Sequence, residues 1–134
     1  MLAVTEADGN PYAAALFYAI DDKLRFYVAT DPSTRHGKAL LANPCVAGTV
    51  QLDRQDWKEI QGVQFRGICH QLGGAERAAA REIYCARFPF LQEPNSILTQ
   101  ALTKTTLWRI DITWIRLINN RLGFGHKEEW TAPS

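Results

Sequence analysis

Apolar and polar positions alternate with a period of two through much of this chain, and turn residues break the alternation at short intervals. Residues 2–5 are short and apolar, and Asp8-Gly9-Asn10-Pro11 then signals a turn. Residues 12–20 are almost continuously apolar. Such a run predicts a strand covered on both faces, although three alanines leave a helix open as well. Asp21-Asp22-Lys23 marks the next turn. Leu24, Phe26 and Val28 then alternate with Lys23, Arg25 and Tyr27, which predicts a half-buried strand and a hairpin with the run before it. Further on, Val46, Gly48, Val50 and Leu52 share one side of a strand. Val63, Phe65, Gly67 and Cys69 face one way and Gln64, Arg66 and His70 the other, the cleanest alternation in the chain. Residues 106–112, with Trp108, Ile110 and Ile112 in phase, and 114–118 read as two more strands. Asn119-Asn120-Arg121 turns the chain, and Leu122-Gly123-Phe124-Gly125 opens a last extended piece.

Helical periodicity enters at three places. Ser33 and Thr34 are good N-caps for a helix over 37–42 that Asn43-Pro44 stops. Residues 75–88 form the clearest helix, with Ala75, Ala79, Ile83 and Ala86 on one stripe and Pro89 beyond its end. After the break at 93–96, Ser96 caps a short helix to Ala101. Strands interleaved with a few helices and hairpin turns give an α+β domain with a mostly antiparallel sheet or barrel. The alternating strands do not read as buried parallel ones, which argues against a dinucleotide-binding fold.

The chain has 134 residues, enough for one domain with its own core. A net charge of +1 leaves no electrostatic footprint for nucleic acid or an anionic membrane. No apolar stretch reaches membrane-spanning length, and the N-terminus lacks the pattern of a signal peptide. Cys45, Cys69 and Cys85 are odd in number and widely spaced, as expected of reduced, mostly buried thiols in a cytoplasmic protein.

Candidate chemistry is sparse. His36, His70 and His126 lack metal-ligand spacing, so no metal site is expected. The Gly-x-Gly at 123–125 opens no helix and suits a tight turn. His70 reads as a surface histidine. Trp57, Trp108, Trp114 and Trp130, with Phe26, Phe65 and Phe124, would suit either an aromatic pocket or core and interface packing. The most informative run is Thr30-Asp31-Pro32-Ser33-Thr34-Arg35-His36. It places Arg35, His36 and Lys38 in the first turn of a helix, where positive charge opposes the macrodipole. An anion would relieve the conflict: free backbone N–H groups, two hydroxyls and an arginine make a phosphate cradle. The alternative is a capped surface helix that is simply basic.

Several blocks, in order, extend this reading. They are the strand and Thr-x-x-x-Thr-Arg-His over 26–36, Asn43-Pro44-Cys45-Val46-Ala47-Gly48-Thr49-Val50, and Ile60-Gln61-Gly62-Val63-Gln64-Phe65-Arg66-Gly67. Ala86-Arg87-Phe88-Pro89, Leu107-Trp108 and Asn119-Asn120-Arg121-Leu122-Gly123-Phe124-Gly125-His126-Lys127 follow. The chain resembles the FMN-binding split-barrel family of pyridoxamine 5'-phosphate oxidase-like proteins, and within it a small bacterial subfamily. The resemblance implies a six-stranded, mostly antiparallel split β-barrel with flanking helices, working as a homodimer with FMN at the interface. It implies that Ala29 and Thr30 run along the flavin and that Thr34, Arg35 and His36 hold its phosphate, with His36 where the family has lysine. Gln61, or Gln64 behind it, would contact the isoalloxazine ring. Many members carry a phosphate-binding arginine on the strand matching 12–17, and this chain has no cation there. The family's opening helix is also missing from the expected single domain, residues 1–134.

The function so implied is an FMN-binding protein, a flavin-dependent oxidoreductase of unknown substrate, with catalytic residues unknown. The C-terminal arginine and histidine of true pyridoxamine-phosphate oxidases have no match here, so that activity is not expected. A second reading is a non-catalytic dimeric binding module holding haem or another phosphate-bearing ligand, or nothing. A third is a purely structural or interaction protein. Residues 12–20 also predict a homodimer, because they are apolar on both faces and one barrel covers only one.

Overall fold

A computed structural model of the chain describes residues 1–53, 55–94 and 96–134. Arg54, in the polar loop expected at 53–59, and Asn95, in the break expected at 93–96, lie outside the described residues. Among the described residues eight strands are present: β1 Leu2–Thr5, β2 Pro11–Ala14, β3 Tyr18–Ile20, β4 Phe26–Thr30, β5 Cys45–Gln51, β6 Gln61–Gln71, β7 Thr106–Asn119 and β8 Lys127–Thr131. Three α-helices accompany them: α1 Arg35–Ala42, α2 Gly74–Arg87 and α3 Ile97–Lys104. The strands form one antiparallel sheet in the order β2-β1-β5-β6-β7-β4-β3, and β8 adds to β7.

The strand count exceeds the six implied by the resemblance, and one of the added strands arises because the apolar run over 12–20 is not one strand. Its first half pairs with β1 across the Asp8-Gly9-Asn10 turn, and its second half pairs with β4 across the turn at 21–25. These halves, β2 and β3, are the two ends of the sheet order. A linker of three residues, 15–17, therefore joins the two edges, and the sheet curls on itself. Interior and exterior alternate along the whole segment, which is why its hydrophobic character looked unbroken.

The reverse holds at 106–118. The two expected strands are one strand, β7, with a bulge. Arg66 pairs with Trp114 and Gly67 with Ile112, so Thr113 is the extra residue. The bulge shifts the phase of the alternation by one. Trp108, Ile110 and Ile112 face inward before it, and Ile115 packs on the same interior after it. A lost phase read as a chain break.

Two apolar clusters hold the fold. Leu2, Val4, Phe26, Val28, Val46, Phe65, Cys69, Trp108, Ile110 and Ile112 fill the barrel, and Ala39 and Leu40 of α1 plug it. Tyr27, Leu107, Ala80, Tyr84, Cys85, Leu91 and Leu102 form the second cluster, between the outer face of the sheet and the helices. β4 is consequently buried on both faces, not half-buried as its alternation predicts: Phe26 and Val28 face the barrel, and Tyr27 faces α2. The α2 stripe also differs from expectation. Ala75, Ala79 and Ala86 are exposed and Ile83 half-buried, while Ala80, Tyr84 and Cys85 are buried. Alanine carries little apolar area, so the rotation of an alanine-rich helix is set by its one buried tyrosine. Leu52 lies past the end of β5 and is exposed. Burial pushes the Cys69 thiol up to about 12, with the Asp111 carboxylate adding to it, which leaves an inert packing thiol.

Gly48 and Phe65 show how tightly the barrel is filled. They are paired across β5 and β6, and a Cβ on Gly48 would lie 2.3 Å from the Phe65 ring and 2.9 Å from the Met1 carbonyl. That ring stacks on Phe26 with centroids 4.7 Å apart. Gly48→Ala should therefore destabilise the protein by about 2 kcal/mol through overpacking. In the Phe65→Leu background the same substitution should cost clearly less, because the smaller side chain yields. Urea unfolding of the two single variants and the double variant measures this; strict additivity would contradict the contact.

Candidate functional site

The first turn of α1 is built by hydrogen bonds that begin in β4. Thr30 is buried, and its carbonyl accepts from the Trp108 indole N–H at 3.0 Å. Its Oγ1 meets Thr34 Oγ1 at 3.3 Å and also bonds His36 Nε2. Thr34 is the N-cap: its Oγ1 accepts from the Gly37 amide at 3.1 Å and donates to the Asp31 carbonyl at 2.7 Å. Asp31 in turn accepts from the Ser33 amide at 2.7 Å, and its carboxyl is held below the usual range by hydrogen bonds to Ser33. Gly37 is required for this arrangement, since a Cβ there would fall 2.3 Å from the Asp31 carbonyl oxygen and 2.8 Å from Pro32 Cα. The amides of Arg35 and His36, at the first two positions of the helix, have no intrahelical acceptor.

Arg35 leaves this corner in the other direction. Its Nε and Nη2 donate to the two carboxylate oxygens of Glu6 at 2.7 and 2.8 Å, and its guanidinium carbon lies 4.7 Å from the centre of the Tyr12 ring. The pairing pulls the Glu6 carboxyl below its ordinary pKa and raises that of Arg35. Arg35 and Lys38, one turn apart, line a cleft of about 290 Å³ together with Glu6, Ala7 and Ala39. No ion pair to Lys38 is formed among the described residues. The helix start thus carries two uncommitted amides, one uncommitted ammonium and one guanidinium already holding a carboxylate. This donor set fits a phosphate monoester, provided that Arg35 exchanges Glu6 for it.

The residues expected at the site do not all gather there. Thr30, Thr34 and His36 touch one another. Arg35 is adjacent but turned to Glu6. Ala29 points to the opposite face of β4 and lines an apolar groove of about 450 Å³ among Phe17, Tyr84, Phe88, Leu98 and Leu102. Gln61 and Gln64 are remote. Thr30 pairs with Thr106 of β7, whereas Gln64 pairs with Arg116, ten residues further along that strand, and Gln61 with Asn119. At about 3.3 Å per residue, Gln64 is roughly 30 Å of strand away from the corner. Gln61 Nε2 donates to Asn119 Oδ1 at 3.3 Å, and Gln64 borders a cleft with Arg66, Trp114 and Arg116.

Two residues of the corner escaped the sequence reading; Lys38 was read there as a cation of the first turn. Glu6 and Tyr12 had no local signal, because Glu6 is 29 residues from Arg35 in sequence. The aromatic residues are also dispersed. Trp108, Phe26 and Phe65 are core. Trp57 and Phe124 pair edge-on with centroids 6.1 Å apart, and both are exposed. His70 is exposed and meets Asp111 at 3.1 Å. Gly123 and Gly125, with φ of 126° and 73°, form the tight turn that leads into β8.

Burial lowers the pKa of His36 below its ordinary 6.5. The unfolded chain then takes up this proton before the folded one. His36 is neutral in the fold at neutral pH, and stability is lost as pH falls below about 6.5. His36→Gln should flatten that loss in urea unfolding between about pH 8 and pH 5. Identical slopes for the two proteins would contradict the assignment.

No protein-family model matches the chain. A UPF0306 protein of Yersinia pseudotuberculosis is 35% identical over 121 residues, covering 90% of this chain and 76% of that protein. Among solved structures, a haem-binding protein from Mycobacterium smegmatis superposes with a TM-score of 0.74 at 19% identity, over 97% of this chain. The chain spans about half of that protein's length, 51%. HutZ, the haem storage protein of Vibrio cholerae, gives a TM-score of 0.63 at 16% identity, over 83% of this chain and 78% of its own. At these identities the likenesses show the split-barrel fold. No described helix is long and apolar enough to cross a membrane.

Proposed function

The chain belongs to the UPF0306 family, and from that premise we propose that it is an FMN-binding split-barrel protein that works as a homodimer and serves as a flavin-dependent oxidoreductase. The observation that carries this reading is the start of α1, where the Arg35 and His36 amides, Arg35 and Lys38 offer a phosphate monoester its donors, on a turn that the Thr30–Thr34–His36 cluster holds in place. FMN, when bound, supplies hydride and electron transfer, and the chain supplies binding and orientation. In this assignment Arg35 and Lys38 balance the phosphate charge, and the Thr34 cap fixes the helix start that presents the amides.

The ring end of the ligand requires a second copy. Gln61 and Gln64 lie too far along β7 to reach the corner of their own chain, so the glutamine that meets the flavin in this reading comes from the partner. Phe17, 72% exposed in the linker between β2 and β3, supports association through apolar surface.

Haem is the second reading. The imidazole Nε2 of His126 has no hydrogen-bond partner among the described residues, with the Glu128 carboxylate 3.9 Å away, and in this reading it turns outward to serve as an axial ligand. Two of the structural neighbours are named for haem, which adds to this reading but belongs to those proteins.

Protein incubated with FMN and desalted should keep flavin absorbance, quench FMN fluorescence, and elute by light scattering at twice the mass of the chain. Arg35→Ala should weaken FMN binding about tenfold or more. A Soret band on reconstitution with haem, lost in His126→Ala, together with no flavin retention, would favour the second reading. A monomer that binds neither would remove both.

A further inference from the structure

Arg35 already holds an anion. Both oxygens of the Glu6 carboxylate are engaged by its fork, and the Tyr12 ring backs the guanidinium. Most of the Arg35 side chain is nonetheless exposed, 65%, against 20% for Glu6. The cleft beside it is also lined by Lys38, and Glu6 is the one anion among its lining residues.

We propose that Glu6 is an internal competitor for the phosphate site: its carboxylate occupies the Arg35 fork until a phosphate-bearing ligand displaces it. This inference rests on the phosphate assignment made above and concerns how that site is regulated. The exchange needs no refolding. The backbone of Glu6 is fixed in the β1–β2 turn, where its N–H donates to the Asn10 carbonyl at 2.8 Å and its carbonyl accepts from Gly9 at 2.9 Å. Asp8 secures the same turn through the Asn10 amide and side chain at 3.0 and 2.9 Å. Only the Glu6 side chain has to swing, and Arg35 keeps its place on α1.

Charge sets the effect of the latch. With Glu6 in place, Arg35 is neutralised and Lys38 is left as the free cation. A phosphate that enters must take Arg35 from the carboxylate and then tolerate Glu6 and Asp8 nearby. The latch therefore discriminates by charge: it opposes binding of the phosphate group and is indifferent to the uncharged part of the ligand. Ligands without a phosphate gain nothing from its removal.

The test is a fluorescence titration of FMN and of riboflavin, which lacks the phosphate, against the full chain and four variants: Glu6→Gln, Glu6→Asp, Arg35→Ala, and Glu6→Gln with Arg35→Ala. Glu6→Gln should tighten FMN binding about three- to tenfold and leave riboflavin unchanged. The gain should vanish in the Arg35→Ala background. Glu6→Asp, which keeps the charge and shortens the reach, should fall between wild type and Glu6→Gln. Should the Gln variant unfold, the Asp variant alone still distinguishes a competitor from a bystander. FMN binding that is unchanged or weaker in Glu6→Gln, while Arg35→Ala weakens it, overturns the latch and leaves the phosphate assignment standing. FMN that binds the Gln variant but not the wild type supports a latch that keeps the site shut. FMN that binds no variant overturns the assignment and the latch together.

Discussion

The segment over 11–20 governs this structure, because one short piece of chain holds both edges of the sheet. Pro11–Ala14 pairs with β1 at one end of the strand order, and Tyr18–Ile20 pairs with β4 at the other. With only three residues between them, the edges cannot lie far apart, and the sheet must curl. Curling creates an interior that Phe26, Phe65 and Trp108 fill. The same closure draws the β1–β2 turn against α1. Glu6 and Tyr12 reach Arg35 only for that reason. The geometry of the candidate site is thus a consequence of how the barrel shuts.

The α1 start then resolves a conflict that its own sequence creates. Arg35, His36 and Lys38 all occupy the positive end of a helix dipole. Each is handled differently. His36 is half-buried and loses its charge, bonding Thr30 instead. Arg35 keeps its charge and borrows a carboxylate from a distant turn. Lys38 stays exposed and unpaired among the described residues. A surface helix that was merely basic would have no need of Glu6. Its carboxylate compensates the guanidinium.

Much of this was legible in the chain, for reasons that differ from place to place. The inward set Val63, Phe65, Gly67 and Cys69 was readable because β6 pairs on both sides and its alternation has no bulge of its own. The hairpin turns at 8–10 and 21–23 were readable from turn chemistry. The helix start was readable because Thr34 is a cap with a glycine in the right place. Continuity of strands was not. The linker at 15–17 keeps the apolar character of its neighbours, and Thr113 breaks the phase of a strand that does not end. Both are long-range facts about pairing partners, which hydrophobic periodicity does not encode. The Glu6–Arg35 pair belongs to the same class, being fixed by sheet closure.

The separation of the expected site residues carries a final consequence. Within one chain, the corner at Thr30 and the glutamines at 61 and 64 lie at opposite ends of β7, with the Thr113 bulge between them. The bulge leaves β6 paired with β7 on both sides of it. No side-chain movement closes roughly 30 Å of strand. The two groups therefore either serve separate purposes or meet across two copies of the chain. The distal end of the ribbon favours the second arrangement. There Trp57, Leu122 and Phe124 are all exposed, the last by 85%, on a turn held by hydrogen bonds from Asn120 to the Trp57 carbonyl and from Gly125 to Asn120. A rigid tip that displays aromatic side chains is costly in water unless something covers it. A second copy that brings this tip to the α1 corner would cover the aromatics and complete the site in one contact.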